Sequence, residues 1–291
     1  MKILVTGANG QLGRETVLML QKAGQEVIAT TRQELDFSSP ENITSIIANH
    51  QANWVINCAA YTQVDKAESD QKLAFVVNRD AAKAIAEGVK LYGGKLLHVS
   101  TDYVFDGRQS QAYKEDDATQ PLGVYGQSKF EGEQAIREVL PEAIILRTAW
   151  VYGIHGHNFV KTILRLAAER EVLSVVDDQI GTPSWTADIA QAMLTLIQKD
   201  ITGTCHFTNE GVASWYDFAV AILEFGKNLG YPVKTQKIIP IPSSQYPTPA
   251  PRPAFTVLSK EKIRKLLGYD IPHWQASLKT MLEELKSVSM V

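Results

Sequence analysis

Short, nearly continuous apolar runs alternate in the first half with stretches apolar at every third or fourth position. The runs are KILVTG (2–7), EVIATT (26–31), WVINCAA (54–60), KLLHVST (95–101) and AIILRTAW (143–150). Such runs are expected of strands buried on both faces of a parallel sheet. Between them, Leu12, Thr16, Leu20 and Ala23 fall on one face of a helix. Ser39-Pro40-Glu41 marks a second helix start, with a capping serine and a proline in the first turn. Ala74, Val77, Ala81, Ile85 and Gly88 stripe a third at a period near 3.6. This alternation predicts an α/β fold, a doubly wound parallel sheet with right-handed crossovers.

The beat loosens near residue 150. Segments 158–171, 186–198, 216–230 and 273–286 read as helices, and TQKIIPIP (235–242) as a strand. PSSQYPTPAPRPAF (242–255) is too proline-rich to be regular, and such loops often lie across ligand sites. Residues 151–291 are expected to form a smaller lobe that shares elements with residues 1–150.

Composition narrows the partners. The 291 residues are 45% apolar and 21% charged, with a net charge of −3. No basic patch points to nucleic acid or a membrane surface, so a small molecule is the expected partner. Cys58 and Cys205 are too few for a disulfide framework and fit a reducing compartment. MKILVTGANG does not read as a signal peptide, and no apolar run approaches the roughly 20 residues that span a bilayer. A cytoplasmic protein is expected.

Chemistry enters with the loop Gly7-Ala8-Asn9-Gly10-Gln11-Leu12-Gly13, which follows the first strand and opens the first helix. Glycines there let the backbone approach a pyrophosphate, which the helix N-terminus attracts. The spacing alone is weak and fits an ordinary glycine turn; its place at the head of an alternating chain favours a dinucleotide. The second strand ends in Thr31 and Arg32 rather than an acidic residue. Arginine suits a 2′-phosphate, so NADPH is preferred, with NADH as the alternative. The bland reading of Arg32 is an exposed arginine without a role. Asp36 and Phe37 are placed to border the adenine, and Ala59-Ala60-Tyr61-Thr62 lies on the same edge of the sheet.

Tyr125 and Lys129, in VYGQSK, are one helical turn apart, so their side chains can meet. A nearby ammonium is expected to lower the phenol's pKa and make it a usable general acid. Ser100-Thr101-Asp102 ends the fourth strand and can add a hydroxyl to the same carbonyl oxygen. A lone YxxxK is most often a surface coincidence; this context points instead to carbonyl reduction.

The glycine-loop start, STDYVFDG (100–107) and YGQSK (125–129) resemble the extended short-chain dehydrogenase/reductase family. NCAAYTQVDKAE (57–68), LRTAWVYG (146–153), DDQIGTPS (177–184) and RPAFTVLS (252–259) narrow the resemblance to dTDP-4-dehydrorhamnose reductases. It covers nearly the whole chain. It implies a Rossmann domain over 1–150, a substrate-binding lobe over 151–291, and NAD(P)H-dependent reduction of dTDP-6-deoxy-L-lyxo-4-hexulose to dTDP-L-rhamnose. It also implies Thr101, Tyr125 and Lys129 as the catalytic trio, with Lys129 holding the nicotinamide ribose. By the same resemblance Gly10, Gln11, Leu12, Asp36, Phe37, Ala60, Tyr61 and Thr62 fall at cofactor positions, and Asp102 and Trp150 on the sugar side. Trp150 is equally readable as core. Arg252, in the proline loop, suits a diphosphate, or is a solvated loop residue.

Some members carry a divalent metal near a subunit interface, which leaves magnesium and a homodimer open. Glu15 matches one such position, but GTPSWTADIAQ lacks a second carboxylate in register, Asp188 being displaced; no metal residue is assigned. His155 and His157 read as surface residues. Two rivals remain. A nucleotide-sugar 4,6-dehydratase or epimerase would use the same fold, but a dehydratase has Asp-Glu after the Ser/Thr where this chain has Asp102-Tyr103. A non-catalytic NADP-binding regulator, like the methionine adenosyltransferase beta subunit, is the other.

Overall fold

All five apolar runs of the first half enter one parallel sheet of six strands. The computed structural model describes residues 1–289. In chain order come β1 (Lys2–Thr6), α1 (Gln11–Lys22), β2 (Glu26–Thr30), α2 (Ile43–His50) and β3 (Trp54–Asn57). Then follow α3 (Val64–Ala67), α4 (Gln71–Phe75), α5 (Ala81–Tyr92), β4 (Lys95–Thr101), α6 (Val124–Val139) and β5 (Ile144–Thr148). The sixth strand, Gly203–His206, comes from beyond residue 150 and pairs with β5. Across the sheet the order is sixth strand, β5, β4, β3, β1, β2, so the connections reverse direction on either side of β1. Ligands of doubly wound sheets bind outside the strands' C-terminal ends at such a reversal.

Successive strand residues face opposite sides. Ile3, Val5, Ile56, Leu97, Ile144 and Leu146 pack with Leu12 and Leu20 of α1, and with Ile189 and Met193 of the helix Thr186–Gln198. Leu4, Val55, Leu96 and Ile145 pack instead against Ile43, Ile47, Ile85, Val89 and Ile136, from α2, α5 and α6. Both faces are therefore covered, one of them with help from the second half of the chain.

Local details differ from the sequence reading. Ala23 is exposed and caps the C-terminus of α1 rather than extending its buried stripe. Ser39 precedes a 3₁₀ turn, Pro40–Asn42, but its side chain makes no capping bond; only the proline acts as expected. The third helix is α4 and α5 joined by a π-helical turn, Val76–Asp80. The wider turn rotates Asn78 into the interior, where its Oδ1 accepts from the Tyr61 N–H (2.8 Å) and its Nδ2 donates to Ser128 Oγ (2.9 Å).

Beyond residue 150, the helices Phe159–Glu169, Trp215–Asn228 and Trp274–Ser289 share a separate apolar cluster. The strand Lys237–Ile241 pairs in parallel with Val172–Val176 beside them.

Candidate active site

The loop from β1 to α1 is shaped for close backbone approach. Gly7 has φ +64°, and a Cβ there would lie 2.9 Å from the Ala59 nitrogen. At Gly13 a Cβ would overlap the Gly7 carbonyl oxygen. Gly10 is the exposed N-cap of α1, with no side chain capping the helix and no acidic residue in its first turn. The first-turn N–H groups of Gln11, Leu12 and Gly13 therefore face outward at the positive end of the helix dipole, a donor set that fits a pyrophosphate. Leu12 itself is core.

At the end of β2, Asn9, Thr31, Arg32 and Gln33 line an open cleft of about 560 Å³. Arg32 is highly exposed and pairs with Asp36 at 3.4 Å. Thr31 donates from both its backbone and its hydroxyl to the Glu34 carboxylate, three residues further on. Asp36 accepts from Ser38, whereas the Phe37 side chain is buried among Leu35 and Ile43. Ala59, Ala60, Tyr61 and Thr62 leave β3 beside Gly7; Tyr61 is pinned by Asn78 and by its hydroxyl to Asp70 (3.3 Å), and Thr62 is exposed.

Thr101 ends β4. Its hydroxyl donates to Asp102 Oδ1 (3.0 Å) and accepts from the Tyr103 N–H (3.2 Å), and it faces the Tyr125 phenol closely enough to favour the phenolate. Burial pushes Tyr125 up to about 12; the Thr101 hydroxyl opposes this and the Asp102 charge adds to it. The expected lowering by Lys129 is not found. The lysine ammonium nitrogen turns toward β4, where it contacts the Val99 carbonyl oxygen (2.7 Å) and His98 Nε2 (3.1 Å). Phenol and amine thus share a helical face without one setting the other's charge. Asp102 is buried and raised to about 6 by desolvation, against the Thr256 and Thr101 hydroxyls.

The N-terminus of α6 and the proline loop close over this phenol. Val64, Glu68, Tyr103, Gly123, Tyr125, Pro251 and Pro253 line the crevice between them. Arg252 donates to Asp65 (2.8 Å), and its Nη1 is buried without a partner among the described residues. Trp150 has φ +46°, an uncommon backbone for a bulky residue, and its ring stacks on Trp215 at 3.6 Å. It is half-buried, neither wholly core nor free. His157 is exposed, but His155 is half-buried with Nε2 4.0 Å from Glu15 Oε2, so it does have an acidic neighbour. Among the described residues no group of three or more His, Cys, Asp or Glu is placed to hold a metal. No helix among them is long and apolar enough to cross a membrane.

A family model described as the RmlD substrate binding domain matches residues 1–287. The dTDP-4-dehydrorhamnose reductase of Aggregatibacter actinomycetemcomitans is 43% identical over 287 residues, covering 96% of this chain and 98% of the relative. The chain belongs to the dTDP-4-dehydrorhamnose reductase family. The crystal structure of a family member from Clostridium acetobutylicum matches with TM-score 0.92 at 39% identity, covering 98% of this chain and 100% of that one. The Bacillus anthracis reductase, solved in complex with NADP, matches with TM-score 0.92 at 35% identity, over 97% and 99% of the two chains. Membership in the reductase family makes this chain an enzyme, an oxidoreductase of nucleotide-sugar metabolism.

Several residues that hold α6 and the proline loop in place are marked by no local sequence pattern. Glu68 Oε1 accepts from the Val124 N–H (2.9 Å) and so caps α6 from a distance. Asp65 holds Arg252 and the Ala250 N–H (3.2 Å), tying the proline loop to α3. One turn beyond Lys129, Glu133 is fully buried and bound by Arg147 through two nitrogens (2.9 and 2.7 Å) and by Ser100 (2.6 Å). Their partners lie far away in sequence, and no local pattern marks them.

Proposed function

We propose that this chain reduces the 4-keto group of dTDP-4-dehydro-L-rhamnose (dTDP-6-deoxy-L-lyxo-4-hexulose) to give dTDP-L-rhamnose, a nucleotide sugar for cell-surface polysaccharide, with NADPH preferred over NADH. The observation that carries this reading is the half-buried Tyr125 phenol, kept in its protonated form beside the Thr101 hydroxyl at the C-terminal edge of the sheet. When bound, the nicotinamide supplies hydride to the ketone carbon.

The chain's own groups do the rest. Tyr125 holds the proton that the ketone oxygen takes as it becomes an alcohol, and Thr101 orients that oxygen through its hydroxyl. Gly7, Gly10 and Gly13, with the N–H groups of Gln11 and Leu12, would receive the pyrophosphate, and Arg32 the 2′-phosphate. Ala59, Ala60, Tyr61 and Thr62 would flank the dinucleotide opposite the glycine loop; Asp36 and the backbone of Phe37 would border the adenine. Lys129 would reach the nicotinamide ribose. Asp102 and Trp150 would meet the sugar, and the free Nη1 of Arg252 would meet the diphosphate. Residues 151–291 supply most of this substrate side. A cytoplasmic setting is supported by the free thiols of Cys58 and Cys205.

The test is to mix the pure protein with the dTDP-ketosugar and either nicotinamide and follow absorbance of the reduced ring. Consumption of NADPH, faster than of NADH, is expected. Tight NADP binding with no consumption would favour the regulatory reading instead.

A further inference from the structure

Lys129 is 2% exposed, and its Nζ sits between the Val99 carbonyl oxygen and His98 Nε2. The carbonyl can only accept. What His98 Nε2 does is decided on the other side of its ring. There Nδ1 lies 2.9 Å from the Asn57 side-chain amide. Asn57 Oδ1 receives the Ala59 backbone N–H (3.2 Å) and the Thr6 hydroxyl (2.6 Å). A backbone N–H can only donate, so turning the amide over would set two donors against each other. The amide NH₂ therefore faces His98, and Nδ1 must be the acceptor. His98 is 1% exposed, and burial together with the Lys129 charge holds it neutral, with one ring proton. That proton is on Nε2, and it points at Lys129.

A hydrogen bond across this 3.1 Å contact needs a lone pair on the lysine nitrogen. We propose that His98 is a positioning residue whose Nε2–H, locked in place by Asn57, selects the free-amine form of Lys129, so that Lys129 changes protonation within the working pH range instead of remaining a permanent cation. This rests on the reduction proposed above.

The other groups around Lys129, on its own helix and on β3, agree. Cys58, at the end of β3, is a neutral thiol pushed up to about 12. Tyr125 is a protonated phenol. Glu133, on α6, is the remaining anion, and it is already bound by Arg147 and by Arg137 (3.1 Å). Burial brings the lysine down to about 8, outweighing the upward pull of the Glu133 charge. An ammonium there has the Val99 carbonyl to bind and a donor N–H facing it from His98.

The test uses the full chain saturated with NADP. Ring-nitrogen NMR of His98 should show the tautomer protonated at Nε2 with Nδ1 bare; a proton on Nδ1 would overturn the inference, whatever the enzyme's activity. Asn57→Asp keeps an acceptor for the Ala59 N–H and Thr6 but offers a second acceptor to Nδ1. It should move the ring proton to Nδ1, leave a lone pair facing Lys129, and shift the alkaline limb of kcat for ketosugar reduction upward by about one pH unit. A flipped tautomer with an unmoved limb would remove His98 from this role. If the native enzyme shows the expected tautomer but consumes no NADPH with ketosugar, the proposed reaction fails while the lysine's hydrogen bonding stands.

Discussion

Two ionisable side chains, buried Asp102 at the end of β4 and half-buried Tyr125 at the start of α6, carry opposite consequences for pH. Tyr125, at about 12, stays protonated throughout the neutral range, which is the form a proton donor for reduction needs. Asp102 is instead ionised at neutral pH at a cost. Its folded value, about 6, lies above the ordinary 3.8, so the folded state binds its proton more tightly than the unfolded chain does. Stability from this group is therefore lost as pH rises from about 4 to 6, and the loss is constant above that. Asp102→Asn should abolish this dependence, leaving the variant relatively more stable at pH 7 than at pH 4, by on the order of 3 kcal/mol. Urea unfolding at the two pH values measures it; an unchanged pH dependence would show that Asp102 is not the group concerned. At the cofactor's edge, Arg32→Ala should raise KM for NADPH about tenfold or more and leave that for NADH within about twofold, because only the 2′-phosphate is deprived of a charged donor. Equal loss for both cofactors in steady-state kinetics would contradict the assignment.

At the scale of elements, α6 is the part on which the site turns. Its face 125, 129, 133 runs from phenol to amine to carboxylate, one turn apart each. Gly132 lets the helix press against the Asn78 carbonyl oxygen of the π-helical turn, where a Cβ would overlap it. Glu133 anchors the far end against β5 through Arg147, whose guanidinium lies 5.1 Å from the Phe105 ring centre. Removing one partner leaves the other charge buried, so Glu133→Gln should cost about 3–5 kcal/mol in chemical denaturation. A loss under 1 kcal/mol would mean that the helix is anchored elsewhere. This network was not legible from the sequence, whereas Tyr125 and Lys129 were. A period of 3.6 shows which side chains share a face, but not what that face meets. Lys129 illustrates the difference: its spacing from Tyr125 suggested a charge acting on the phenol, while its contacts are made 31 residues earlier in the chain, at His98. Arg252 pairs with Asp65, 187 residues away, and Trp150 stacks on Trp215; neither partner lies within reach of a local pattern.

For the molecule as a whole, continuous apolar runs announced five strands of the sheet, because strands buried on both faces have no polar side to confuse the pattern. The sixth, Gly203–His206, is short and begins with glycine, and it joins only through pairing with β5. The break in rhythm near residue 150 marks a change of local pattern rather than an edge of the core. The helix Thr186–Gln198 covers Ile3, Val5, Ile56 and Leu146 from beyond that point. A fragment of residues 1–150 should consequently expose that face, bind hydrophobic dyes and digest rapidly with protease; a protease-resistant fragment with a sharp unfolding transition would show that the first half folds alone. The intact chain unites a glycine loop from its first residues, the Tyr125 phenol from its middle and a proline loop from its last third. Whether this assembly reduces a sugar ketone through Tyr125 is decided most directly by following NADPH oxidation with dTDP-4-dehydro-L-rhamnose in the native enzyme and in Tyr125→Phe, alongside NADPH affinity. Loss of at least about a hundredfold in kcat with unchanged cofactor affinity is the predicted result; turnover within a few-fold of native would contradict the role of this phenol.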